Sequence, residues 1–166
     1  MIEYQDDTCA KPTTYKNRHT VRGIARNKQG LYVYLKIIGN DDFGKRNHFE
    51  SVGGGIEEGE GKIEALKREV MEELGMKCNV IKEICTVIDY YNVNSTRTTS
   101  TYFLIDLLDE MYDTNRTDEE QLLIASIEEH TLEEYLDLMK YNEVLSVNEL
   151  VHRREIYAIK KLLDKQ

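Results

Sequence analysis

The sequence predicts an α/β protein, a mixed β-sheet with helices packed on its faces. Three observations lead there. β-rich runs interleave along the chain with stretches whose apolar residues recur at helical spacing, the pattern of a layered α/β domain. Polar turns join some neighbouring β-rich runs directly, so hairpins occur and the sheet is not purely parallel. Near the middle, a short β run, a glycine turn and an acidic helix follow one another.

The 166 residues suit a single domain of ordinary size, able to bury a core without cross-links. With 40% apolar and 32% charged residues the chain reads as globular, and no internal repeat or linker divides it. The formal net charge of -9 argues against a generic grip on nucleic acid, which needs a basic face. Cys9, Cys78 and Cys85 are odd in number and irregular in spacing, so they suggest reduced thiols and no disulfide framework. No stretch approaches the roughly 20 apolar residues of a spanning helix, and the acidic start shows no secretory signal. A cytoplasmic location without membrane attachment is the default expectation. A homodimer is left open.

The elements follow in order. Residues 1–17 hold the single proline, Pro12, and are expected to be a flexible N-terminal arm, leaving 18–166 as the domain. In 19–25, Val21, Gly23 and Ala25 alternate with Thr20, Arg22 and Ile24; Asn27-Lys28-Gln29-Gly30 is a turn signal, and 31–38 is β-rich, so the pair reads as a hairpin. Residues 39–47 read as a polar loop, and 48–52 as a short strand entering Gly53-Gly54-Gly55. Ile63, Leu66, Val70 and Leu74 form one stripe of a helix over 62–74, with Gly75 placed to cap it. Residues 80–91 and 98–108 are β-rich and can pair through the turn 92–97. The apolar run 122–127 is a candidate strand. Thr131 and Glu134 have capping-box spacing for a helix over 132–140, and 146–163 closes the chain as an amphipathic helix.

The chemistry concentrates on the helix over 62–74. At roughly 100° per residue, Glu69, Glu72 and Glu73 project together beside the apolar stripe. Like charges at these spacings each cost a helix a few tenths of a kcal/mol, at roughly 0.2–0.5 per pair, and no basic residue shares their sector. An external cation would compensate them, and an oxygen-only set suits Mg²⁺ or Mn²⁺. Arg68 lies at the edge of the cluster, four residues from both Glu64 and Glu72, where it could fix the rotamer of Glu72. On a lone helix such glutamates would read as a solvated charged face. The preceding glycine turn changes the balance, because it can bring a main-chain carbonyl beside the acids. It is not a phosphate-binding P-loop, since Gly61-Lys62 is followed by Ile63, and the spacing of a dinucleotide fingerprint is absent.

As a whole the segment resembles the signature of the Nudix family, G-x5-E-x7-R-E-U-x-E-E-x-G-U with U aliphatic. Here Gly54, Glu60, Arg68-Glu69-Val70, Glu72-Glu73 and Gly75-Met76 match every fixed position at the right spacing. Outside this box the resemblance is weaker, although most of the chain can be laid on the family's α/β/α sandwich. The resemblance implies Glu69 and Glu73 as principal metal ligands, Glu72 assisting, and the Gly54 or Gly55 carbonyl completing the set. Arg68 would orient the glutamates, and Glu60 and Gly75 would be structural. The implied reaction is attack of water on a phosphorus of a nucleoside diphosphate linked to another group, with Mg²⁺ or Mn²⁺ as cofactor and a small nucleotide as substrate. The proton would go to Glu69, or to a later-loop acid for which Glu120 and Glu119 are the candidates.

Substrate choice lies outside the box. There is no proline after Pro12, which counts against an ADP-ribose pyrophosphatase; Ser51-Val52 stand where many members have proline, and no NADH-cleaving motif is visible. Tyr90 or Tyr91 could stack on a base, but alternation along a strand lets only one of them face a given pocket. Arg22, Lys36, Lys45 and Arg46 are candidate phosphate contacts, and the loop 39–47 could border the site. The alternative to an enzyme is a Nudix-like module that senses a nucleotide without cleaving it; the intact Arg68, Glu69, Glu72 and Glu73 favour the enzyme.

Overall fold

The computed structural model describes residues 1–5, 9–139 and 146–164. Its elements are β1 (Ile2–Gln5), β2 (Lys16–Arg26), β3 (Tyr32–Asp41), β4 (Gly44–Glu50), α1 (Lys62–Leu74), β5 (Met76–Tyr91), β6 (Thr96–Met111), α2 (Asp118–Leu123), β7 (Ile124–His130), α3 (Leu132–Leu138) and α4 (Val147–Leu163). The seven strands form one mixed sheet. β5 and β6 are a long antiparallel hairpin, β6 runs parallel to β2 from Thr96↔Lys16 to Asp106↔Arg26, and β1 runs parallel to β5.

Alternation along each strand sends side chains to two separate cores. Val21, Ala25, Val33, Leu35, Phe103 and Ile105 meet Ala65, Leu66, Val70 and Leu74 of α1. Ile24, Tyr34, Tyr102 and Leu104 meet Tyr135 of α3 and Ile159 and Leu162 of α4 on the other face. The fold is thus the α/β/α sandwich that the resemblance implied. Truncating a fully buried side chain such as Leu66 should cost about 2–5 kcal/mol. α1 ends at Gly75, whose φ of 65° is left-handed, and whose N–H bonds to the Met71 carbonyl. A Cβ there would lie 2.1 Å from the Tyr112 carbonyl oxygen, so Gly75 is structural in a literal sense.

Several expectations need correction. Residues 1–17 are not all a loose arm, because β1 pairs with Val87 to Tyr90 and β2 begins at Lys16. The β2–β3 hairpin is ladder-bonded only at Ala25↔Val33 and Arg26↔Tyr32, after which the strands part. The supposed polar loop 39–47 is itself a tight hairpin: β3 and β4 pair as far as Asp41↔Gly44, so polar residues there are the solvent side of a ribbon. The run 122–127 divides, with Leu122 and Leu123 ending α2 and β7 starting at Ile124. On α1, Ile63 is 40% exposed and Ala65 takes its place in the core. The predicted end of the third helix at Lys140 falls outside the described residues; α3 extends to Leu138.

The parting of β2 and β3 makes the site. The chain leaving β4 enters the gap and bridges β2 at Gly23↔Val52 and Thr20↔Gly55. Tyr32 pairs with both Arg26 and His130, and Leu35 with both Glu50 and Ile127, so β7 flanks β3 on the side away from β2 and β4. The glycine turn is thereby held against β2, under the acidic edge of α1.

Candidate active site

Glu69 and Glu73 are each only 6% exposed although nothing apolar in them favours burial. Glu73 is fixed by the Gly53 N–H, which donates to its Oε2 at 2.8 Å. Glu69 lies against the turn so closely that a Cβ on Gly54 would fall 2.4 Å from its Oε1 and displace the carboxylate. Burial pushes the Glu73 carboxyl up to about 8 and raises that of Glu69, in both cases ahead of every neighbouring charge. Two acids held dry in one place need positive charge nearby.

Arg68 supplies some of it and also acts as the tie of the site. Its guanidinium donates to both oxygens of Glu60 at 2.9 and 3.0 Å, to Glu69 Oε1 at 2.9 Å, to Glu72 Oε2 at 3.1 Å and to the Gly55 carbonyl at 2.9 Å. One side chain thus binds the glycine turn, the connection and the helix together. Hydrogen bonding from Arg68, then from the Glu57 backbone, holds Glu60 down to about 2. The Gly54 carbonyl accepts from the Val21 N–H at 3.0 Å, so both turn carbonyls named from the sequence carry one hydrogen bond and keep a second lone pair.

The third acid of the cluster comes from far along the chain. Ligand oxygens of Glu69, Glu73 and Glu120 all lie within 4.8 Å of one another. Glu120 is brought there by the segment 112–117, which wraps the C-terminal end of α1. The Tyr112 N–H bonds to the Gly75 carbonyl, the Asn115 N–H to that of Glu72, and Arg116 donates twice to that of Glu73, at 3.0 and 2.7 Å. α1 has no basic residue in its last turn, so Arg116 provides from outside the cation that a helix C-terminus favours. Thr117 then caps α2, and Glu120 Oε2 accepts its N–H at 2.7 Å. Glu119 is exposed and outside the cluster. Glu72 is held by Arg68 and is not one of the three.

A cavity of about 160 Å³ opens on the α4 side of the sheet, and none of the three acids lines it. Of the four predicted phosphate contacts, Arg22 and Arg46 line it and Lys36 and Lys45 do not. Lys36 instead lies 4.2 Å from the centre of the Phe49 ring. Alternation selects Tyr91, which lines the cavity; Tyr90 turns the other way, bonds to Glu3 and Arg97 and packs edge-on to Tyr15. The tip of the β3–β4 hairpin does border the cavity, through Phe43 and Arg46.

Arg18, Glu50 and Arg154 also line the cavity and were not anticipated from the sequence. Glu50 bonds to Arg22 at 2.7 Å and to Arg154, and although burial opposes it, Arg22 and then Arg154 hold its carboxyl well below the usual range. A signal for Arg154 existed. It falls on the buried stripe of α4 with Val147, Leu150, Val151 and Ala158, where an apolar residue is expected.

The fold thus sets two buried helix carboxylates and a third acid from α2 against a glycine turn. The chain belongs to the Nudix family: the NUDIX domain matches residues 16–157, and with it the chain joins a family of hydrolases. Solved structures share the fold. A NUDIX hydrolase from Nitrosomonas europaea superposes with a TM-score of 0.64 at 19% identity, covering 90% of each chain. A MutT protein from Methanosarcina mazei Go1 gives 0.63 at 16%, covering 90% of this chain and 96% of that one. The Ap4A hydrolase of C. elegans gives 0.57 at 14%, covering 90% and 98%. No curated protein matches the sequence at significance.

Proposed function

We propose that the protein is a pyrophosphohydrolase that cleaves a phosphoanhydride in a nucleoside diphosphate-linked compound, a nucleoside triphosphate or small nucleotide conjugate, and requires Mg²⁺ or Mn²⁺. The observation that carries this reading is the convergence of Glu69, Glu73 and Glu120 within 4.8 Å. The donor set fits such a cation: it is all oxygen, two of its members are buried, and burial has raised their pKa values, which a divalent charge would reverse. Glu69, Glu73 and Glu120 would hold the ion, with Glu72 and the Gly54 carbonyl at its edge. When bound, it would polarise phosphate oxygens and make water more acidic.

The chain's own residues do the remaining work. Arg68 holds Glu69 and Glu72 in single rotamers, and the Gly53 N–H does the same for Glu73. The proton of the attacking water passes to Glu69 or Glu120, the two candidate bases that the cluster retains. Tyr91 and Arg22 flank the part of the substrate that enters the cavity. The tied rotamers favour turnover over mere sensing of a nucleotide.

The test is incubation of the purified protein with a broad panel of nucleotides and conjugates, with and without Mg²⁺ or Mn²⁺, identifying products by mass. Metal-dependent anhydride cleavage is expected. In Glu73→Gln it should fall by more than the roughly 10- to 100-fold typical of losing an outer-shell partner, with folding preserved. Wild-type turnover in Glu73→Gln would remove Glu73 from the centre and overturn the assignment. Thermal stabilisation by a nucleotide with no cleavage anywhere would favour the sensor.

A further inference from the structure

The acids of α1 and α2 account for the proposed reaction but not for the charge of the cavity on the α4 side of the sheet. In a chain of formal net charge -9, that cavity is lined by Arg18, Arg22, Arg46 and Arg154 against the one carboxylate Glu50. Arg22 and Arg154 share the same Glu50 oxygen, and Arg154 also stands 3.6 Å from Asp89 and from Glu155 behind the cavity wall. Arg46 is paired with Asp41 at 3.0 Å. Arg18 has no hydrogen bond or ion pair among the described residues. It stands beside the glycine turn, its Nη2 3.7 Å from where a Cβ on Gly55 would lie. Lost solvation, and then the like charges of Arg22 and Arg154, lower its pKa. An anion in this position would give Arg18 a partner and relieve that repulsion.

The size of the cavity narrows its occupant. About 160 Å³ lies below the roughly 300–1,000 Å³ of sites that enclose a drug-sized ligand, so one compact group enters. Phe43 and Tyr91, edge to face at 5.7 Å, form the aromatic part of its lining, next to Arg46 and Arg154.

We propose that the cavity is an anion subsite for a second phosphate of the substrate, one outside the scissile diphosphate and carried on a compact sugar or nucleotide moiety, with Arg18 as its free contact. This inference rests on the hydrolase reading above. The preferred substrates are then diphosphates whose attached group is itself phosphorylated.

Matched pairs that differ by that one phosphate test it: coenzyme A against dephospho-coenzyme A, 2′-phospho-ADP-ribose against ADP-ribose, and NADPH against NADH. In the wild type kcat/KM should favour the phosphorylated member by about ten-fold or more in a pair that is cleaved, mainly through KM, the value of one charge-assisted hydrogen bond. Arg18→Gln should bring that ratio toward one, losing more on the phosphorylated member. A ratio near one in every cleaved pair, or one that survives Arg18→Gln, overturns the subsite and leaves the hydrolase standing. Cleavage of other anhydrides but of no pair member does the same. No cleavage of any anhydride removes both readings.

Discussion

Asp89 is fully buried on β5, yet neither of its carboxylate oxygens accepts a hydrogen bond; the nearest cation, Arg154 Nη1, is 3.6 Å away. Burial pushes its carboxyl up to about 6, against the pull of Arg154 and, more weakly, of Arg22, while Glu155 adds to the rise and the Tyr91 hydroxyl faces the same group. A carboxyl raised by folding contributes stability below its unfolded pKa and loses it as pH climbs through the folded value. Asp89→Asn should therefore gain on the wild type as pH rises from about 4.5 to about 7.5, by on the order of 1–3 kcal/mol. Melting temperatures of both proteins at the two pH values check this, and a gap that stays constant would show that folding does not raise the Asp89 carboxyl. At this scale the positions of the box residues were legible, because each is fixed by local spacing, although Glu72 falls outside the acid cluster. Glu50, Asp89 and Arg154 were not, because what makes them special is burial against one another across elements far apart in sequence. Glu120 stands between these cases: Thr117 and Glu120 carry capping-box spacing, which separates Glu120 from Glu119 once a helix is placed there.

The elements that matter most are not the regular ones. Residues 112–117 have no ladder or helix, yet they terminate α1, start α2 and set where Glu120 stands. Arg116 is their firmest attachment through its two bonds to the Glu73 carbonyl. Arg116→Ala should lower kcat and Mn²⁺ affinity by roughly 10- to 100-fold, as loss of a supporting contact does, while α1 stays folded on its apolar face. Arg116→Lys should recover part of both, and an Arg116→Ala protein with wild-type Mn²⁺ affinity would show that the segment does not position Glu120. Local periodicity revealed α1, α4 and the β5–β6 pair almost whole. It could not reveal that β2 runs parallel to β6 along its whole length while parting from β3 on its other edge, since that choice depends on which strand buries Val21, Ile24 and Ala25 best. For the same reason the short ribbon at Asp41 and Gly44 read as a loop: polar residues on an exposed hairpin look like a connection.

Across the molecule, two apolar cores on opposite faces of one sheet leave the polar chemistry at the place where the sheet splits. The α1 face supplies the buried acids, the α4 face supplies Arg154 and the cavity, and the chain between β4 and α1 passes through the gap that joins them. This division explains why residues 54–76 suffice to recognise the family while the lining of the cavity is spread over β2, the β3–β4 tip, β5, β6 and α4. The central claim is that acids from α1 and α2 form one metal centre. The direct measurement is a Mn²⁺ titration followed by electron paramagnetic resonance on the wild type, Glu120→Gln and Glu119→Gln. The glutamine at 120 can still accept the Thr117 N–H, so α2 keeps its cap. The account predicts Mn²⁺ binding weakened by about ten-fold or more in Glu120→Gln and unchanged in Glu119→Gln; equal affinity in the wild type and Glu120→Gln would contradict it.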